Sequence, residues 1–100
     1  MNGEFEQRFA LTTLLHFYVE EKYLEEIFSM IDRSDTSKYY VHMAAAWLIA
    51  ETLAKYYPQA RGYLMEHSLD KRTHNKAIQK ACESYRLSND DKNYLKGLKR

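Results

Sequence analysis

Apolar side chains recur along this chain in six blocks separated by polar or helix-breaking residues, and the spacing inside the blocks is helical. In residues 22–33, Leu24, Ile27, Phe28 and Ile31 fall three, four and seven positions apart, forming one stripe. The polar run Ser34-Asp35-Thr36-Ser37 offers side-chain acceptors to the free amides of a third helix over about 38–57. Pro58 lacks an N–H, so it ends that helix; it suits the first turn of a fourth over about 58–67, which Gly62 weakens. Ser68 or Asp70 opens a fifth helix over about 71–86, burying Ala77, Ile78, Ala81, Cys82 and Tyr85. Ser88, followed three residues later by Asp91, has the form of a capping box for a sixth over about 89–98.

The first block, about 4–20, differs from the others. Phe5, Phe9, Ala10, Leu11, Leu14, Leu15, Phe17, Tyr18 and Val19 spread around the whole circumference of a helix rather than along one side. A helix apolar on every side predicts cover on every side, whether by upstream repeats, a second copy of the chain (a homodimer) or another partner.

Each helical pair occupies roughly thirty to thirty-five residues. With short loops between antiparallel partners, this predicts an all-α fold of HEAT-like repeats: six helices in three antiparallel pairs, stacked as an α-α superhelix. Length and composition agree. One hundred residues make one small domain over 1–100, 45% of them are hydrophobic, and three Gly and one Pro leave little material for hairpin turns. The longest stretches free of Asp, Glu, Lys and Arg are residues 9–19 and 41–50, too short to span a bilayer. No secretory leader pattern opens the chain, and the single Cys82 cannot form an internal disulfide. A soluble, cytoplasmic protein is expected.

The net charge of +1 hides a gradient. Residues 1–33 carry seven acids and three bases, 34–69 balance, and 70–100 carry nine bases against four acids. Arg72, Lys76 and Lys80 recur every fourth residue and line one helix face, with Lys92, Lys96, Lys99 and Arg100 beyond them. Such a row fits phosphate contacts along a groove, and equally an ordinary solvated face. Tyr39 and Tyr40 suit stacking on sugars or bases as well as packing. Trp47 follows Ala44-Ala45-Ala46, small residues that admit a close neighbour; a core indole is the commoner use of such a position and a surface-facing ring the alternative.

Metal and nucleophile chemistry finds little support. His16, His42, His67 and His74 have no spacing that aligns two ligands on one helix face, and residues 32–35 lack the glycine and glutamate of a calcium loop. No glycine-rich phosphate loop is present, and Cys82 on an apolar stripe reads as a buried, inert thiol. No cofactor is expected.

In Tyr39-Tyr40-Val41 through Ala46-Trp47, and in Asn75-Lys76-Ala77-Ile78-Gln79-Lys80 with Glu83-Ser84, the chain resembles the bacterial DNA alkylation repair enzymes of HEAT-like repeats, the AlkD-like DNA glycosylases. The resemblance runs from about Phe5 onward. It implies a right-handed superhelix whose concave face holds duplex DNA. Trp47 would line the lesion-facing cleft, and Arg8 would reach the backbone beside it. The implied substrates are N-alkylated purines, which are cationic and already good leaving groups: an electron-rich indole holds the charge while a carboxylate stabilises the sugar cation. The departures are specific. The family's catalytic aspartate and second tryptophan lie upstream of its arginine and have no counterpart here, its adjacent basic pair is Gln7-Arg8, and an arginine that some members carry is Ala50. The resemblance is therefore to the C-terminal half of such an enzyme, with absent repeats covering the first helix. That half is expected to bind DNA without excising bases. The competing expectation is a non-catalytic helical-repeat module for protein contacts, with Trp47 in its core.

Overall fold

The computed structural model describes residues 3–66 and 69–100, and no strand occurs among them. Among the described residues six helices follow one another: α1 (Glu4–Phe17), α2 (Leu24–Arg33), α3 (Tyr39–Lys55), α4 (Tyr57–Met65), α5 (Lys71–Cys82) and α6 (Asn89–Gly97). A 3-10 turn, Glu21–Tyr23, leads into α2. The fold is all-α, as the block pattern predicts, and its pairs stack in two layers. In one layer α3 packs between α1 and α5. In the other, the Phe28 ring of α2 stacks on Tyr63 of α4 (4.4 Å, 6°), and the Arg61 guanidinium of α4 lies over the Tyr94 ring of α6. None of the helices is long and apolar enough to cross a membrane.

The central place of α3 explains its composition. Val41, Ala44, Ala45, Ala46, Leu48, Ile49, Ala50 and Leu53 are all buried, because this helix meets neighbours on most of its circumference. The alanines let those neighbours come close. On α2 the expected stripe points inward, with Leu24, Ile27 and Ile31 buried and Phe28 half-buried.

The helix ends show where local chemistry decides. Asp70 caps α5 by accepting the Thr73 amide at 3.0 Å; Ser68, the other candidate cap, and His67 lie outside the described residues. Ser88 caps α6 by accepting the Asp91 amide at 3.1 Å. The start of α3 departs from expectation. Asp35 spends its carboxylate on Ser37, and the Tyr40 amide is instead accepted by Glu4 of α1, 36 residues earlier, at 3.0 Å. A carboxylate beside the positive end of α3 is favoured for the same reason as a local cap.

Two expected boundaries shift. The first helix stops at Phe17 rather than near residue 20, because Tyr18 leaves helical geometry (φ −129°) and the chain turns to insert Val19 in the core. The fifth stops at Cys82 rather than near 86: the amides of Glu83 and Ser84 bond back three residues, to Lys80 and Ala81, and tighten the last turn. Tyr85 thereby loses its helical phase and stands 93% exposed instead of buried, while Cys82 is half-buried with its thiol 3.7 Å from the Lys92 carbonyl.

Part of the apolar surface of the first helix stays open. Leu11 is buried and Leu14 and Leu15 pack against the core, yet Phe5, Phe9 and Phe17 are each more than two-thirds exposed. Among the described residues, Tyr40 leans on Phe5, and the rest of that face stays open.

Gly62 sits inside α4, and a Cβ added there meets nothing within 4 Å. Gly62→Ala is expected to stabilise the fold by about 0.5–1 kcal/mol, read as a higher urea midpoint with unchanged slope.

Candidate nucleic-acid interface

Three rows of residues at fourfold spacing face outward on α1, α3 and α5 and together form one surface. Arg8 and Thr12 come from α1, Tyr39, Tyr40, Met43 and Trp47 from α3, and Arg72, Lys76 and Lys80 from α5. Residues four apart on a helix share a face, so each row is a ridge and the packing of α3 between its neighbours sets the ridges side by side.

At the centre is a cleft where Arg8, Thr12, Tyr40, Trp47 and Lys80 meet. Trp47 is not in the core: its ring is 53% exposed, and Ala44, Ala45 and Ala46 beside it are the buried residues. The Arg8 guanidinium carbon lies 5.8 Å from the Tyr40 ring centre, and the Lys80 Nζ lies 5.9 Å from that of Trp47. Both distances are within cation–π range, so the faces of two aromatic rings present negative potential to cations already in the cleft. Tyr39 packs edge-on against Tyr40 (5.3 Å, 77°), and Phe5 leans on the other side of Tyr40 (5.7 Å). With the Glu4 cap on the Tyr40 amide, these contacts hold the aromatic end of α3 in place.

From Tyr39 and Met43 the surface continues into a second depression, lined by His42, Arg72, Asn75, Lys76, Gln79 and Lys99. On the other side of Trp47 lies a third, beside Ala50, Glu51, Ala54, Glu83 and Arg86. There the Arg86 guanidinium pairs with Glu51 at 2.7 Å, and that hydrogen bond raises the Arg86 pKa further. Arg8, Arg72, Lys76 and Lys80 make no ion pair among the described residues.

All seven residues singled out from the sequence, Arg8, Tyr39, Tyr40, Trp47, Arg72, Lys76 and Lys80, thus lie on this one surface. Gln7, the neighbour of Arg8 where the resembled family has a base, turns inward: it is buried, and its Oε1 accepts the Asp35 amide at 2.7 Å. Met43, Thr12 and Lys99 belong to the surface but were not singled out as sites. Met43 carried a usable signal, the fourfold spacing from Tyr39 to Trp47; Lys99 was visible only as one of the basic residues beyond the α5 row, with nothing to set it on this surface.

The histidines engage separate partners. His74 is fully buried with Nε2 donating to the Leu98 carbonyl at 2.9 Å, and His16 is exposed. His42 is 4% exposed with Nδ1 3.0 Å from the Thr73 hydroxyl. Its pKa lies below 6.5, first because burial penalises the imidazolium and then because Arg72 repels it; Asp70 pulls the other way, and Lys76 adds a smaller repulsion. Burial would raise Asp70 itself, but hydrogen bonds from the Thr36 hydroxyl and the Thr73 amide outweigh it and keep that carboxylate ionised. The unfolded chain protonates His42 near pH 6.5 and the folded chain resists, so its contribution to stability is complete above that pH and is lost as pH falls below it. The urea midpoint is expected to drop between about pH 7 and pH 5.5, and His42→Gln to flatten the drop.

Comparison of the chain with protein-family models, with curated proteins and with solved structures finds no match.

Proposed function

We propose that this chain is the duplex-DNA-binding part of a base-excision DNA glycosylase of the DNA alkylation repair family, acting on N-alkylated purines in the cytoplasm. One observation carries the reading: Arg8, Tyr40, Trp47 and Lys80, from three helices, converge on one cleft with the indole open to solvent. Unpaired cations beside accessible aromatic rings suit a polyanion whose bases carry π faces. A positively charged alkylpurine is a further match for the Trp47 ring, which already attracts the Lys80 ammonium.

In this reading Arg8, Arg72, Lys76 and Lys80 hold phosphates while Tyr39 and Tyr40 flank the Trp47 ring. Glu51, next to Trp47, is engaged by Arg86 and is not a free carboxylate for stabilising a sugar cation. The chain is therefore proposed to bind without excising, and no release of 7-methylguanine by the purified protein is expected.

A protein-contact module is the second reading, and the open Phe5, Phe9 and Phe17 face favours it. Its expectation of a core Trp47 does not hold. Titration of a short duplex at several salt concentrations separates the two. Four neutralised phosphates predict a log–log slope of roughly −3 to −4, whereas an apolar contact predicts a slope near zero. A flat salt response, or no duplex binding at low salt, would overturn the DNA reading.

A further inference from the structure

The depression between α3 and α5 next to Tyr39 is lined by His42, Arg72, Asn75, Lys76, Gln79 and Lys99 and holds no carboxylate. Three cations therefore face one space, and the acid that reaches His42 from nearby, Asp70, is engaged by the Thr36 hydroxyl and the Thr73 amide. Two of the cations lie close enough to repel a proton from His42, so their field converges there.

The third cation arrives by an unusual route. Past α6 the chain runs back along α5 and is fastened to it at several points. The Asn75 carboxamide donates to the Arg100 carbonyl at 2.9 Å and accepts the Arg100 amide at 2.8 Å. His74 donates to the Leu98 carbonyl at 2.9 Å, and the Arg100 guanidinium donates to the Leu69 carbonyl at 2.6 Å. Leu98 packs against the core. Lys99, between two fastened residues, is thereby held at the rim of the depression rather than left on a free segment. Holding a third like charge beside two others costs electrostatic energy unless an anion offsets it.

We propose that Arg72, Lys76 and Lys99 form a phosphate-binding pocket, and that Asn75 and His74 are positioning residues that complete it by holding the 98–100 segment on α5. The non-bridging oxygens of a phosphate group accept from the guanidinium fork and from ammonium groups together. The pocket deepens the nucleic-acid reading, on which the choice of a duplex as second probe rests; the shared chemistry is the phosphate, from a backbone or a free oligophosphate.

The test uses the whole chain and inorganic tripolyphosphate, followed by amide chemical shifts. Tripolyphosphate is expected to move the Asn75, Gln79 and Lys99 signals. Lys99→Met, at an exposed position, should weaken binding roughly tenfold, the loss of one charge-assisted contact. Asn75→Leu should weaken it equally with α5 still helical by circular dichroism, and the double variant should be no weaker than either single one. Tripolyphosphate that moves none of these signals, a Lys99→Met variant that binds as well as the parent, or losses that add in the double variant would overturn the pocket. A duplex that displaces tripolyphosphate identifies a backbone source. Tripolyphosphate binding with no duplex binding leaves the pocket standing and removes the DNA reading.

Discussion

Leu48→Ala is expected to cost about 2–5 kcal/mol of folding stability, among the largest effects of any single truncation here. Leu48 is fully buried on α3, the helix between α1 and α5, so the truncation leaves a cavity in the core. Small domains have only about 5–15 kcal/mol in hand, so the variant should show a lowered urea midpoint or fail to fold at 37 °C. A loss under about 1 kcal/mol would mean that the α1, α3, α5 layer does not carry the core.

The neighbouring substitution should behave in the opposite way. Trp47→Ala removes a larger side chain, yet the residue is half exposed and the Lys80 ammonium lies over its ring. Its stability loss is expected to stay within about 1 kcal/mol, the worth of an exposed cation–π pair and some partial burial. Duplex affinity should fall by about 1–3 kcal/mol, the worth of one aromatic stacking contact, with the salt slope unchanged because no phosphate contact is lost. Unfolding of Trp47→Ala would return the indole to a structural role. Unchanged DNA affinity in a folded variant would detach it from the proposed interface.

These two adjacent residues also show what was legible in the sequence and what was not. Periodicity located α2 and α5 because each has one buried side and one wet one, and Leu24, Ile27, Ile31, Ala77, Ile78 and Ala81 turned inward as their spacing implied. On α3 a helix with neighbours on most sides is apolar nearly all round; the fourfold spacing of Tyr39, Met43 and Trp47 follows its open strip, but spacing alone does not say which side is wet. The exposed position of Trp47 therefore had to come from packing. For α1 the all-round apolar pattern implied cover from upstream repeats, a second copy or another partner, and within the chain itself Phe5, Phe9 and Phe17 are left open. Local capping by Asp70 and Ser88 could be read from short range, whereas a cap on Tyr40 from Glu4 requires knowing that α1 lies beside α3. The groove's cations were visible as a fourfold row. That Lys99 joins them depends on hydrogen bonds between residues 25 apart.

The Glu4 contact also bears on how the molecule breathes. Any partial opening that lifts α1 away must uncap α3 in the same event, because the acceptor for the Tyr40 amide leaves with it. Hydrogen exchange at that one amide would thus report on the undocking of a helix elsewhere in the chain, and the aromatic end of the groove would come and go with its outermost neighbour.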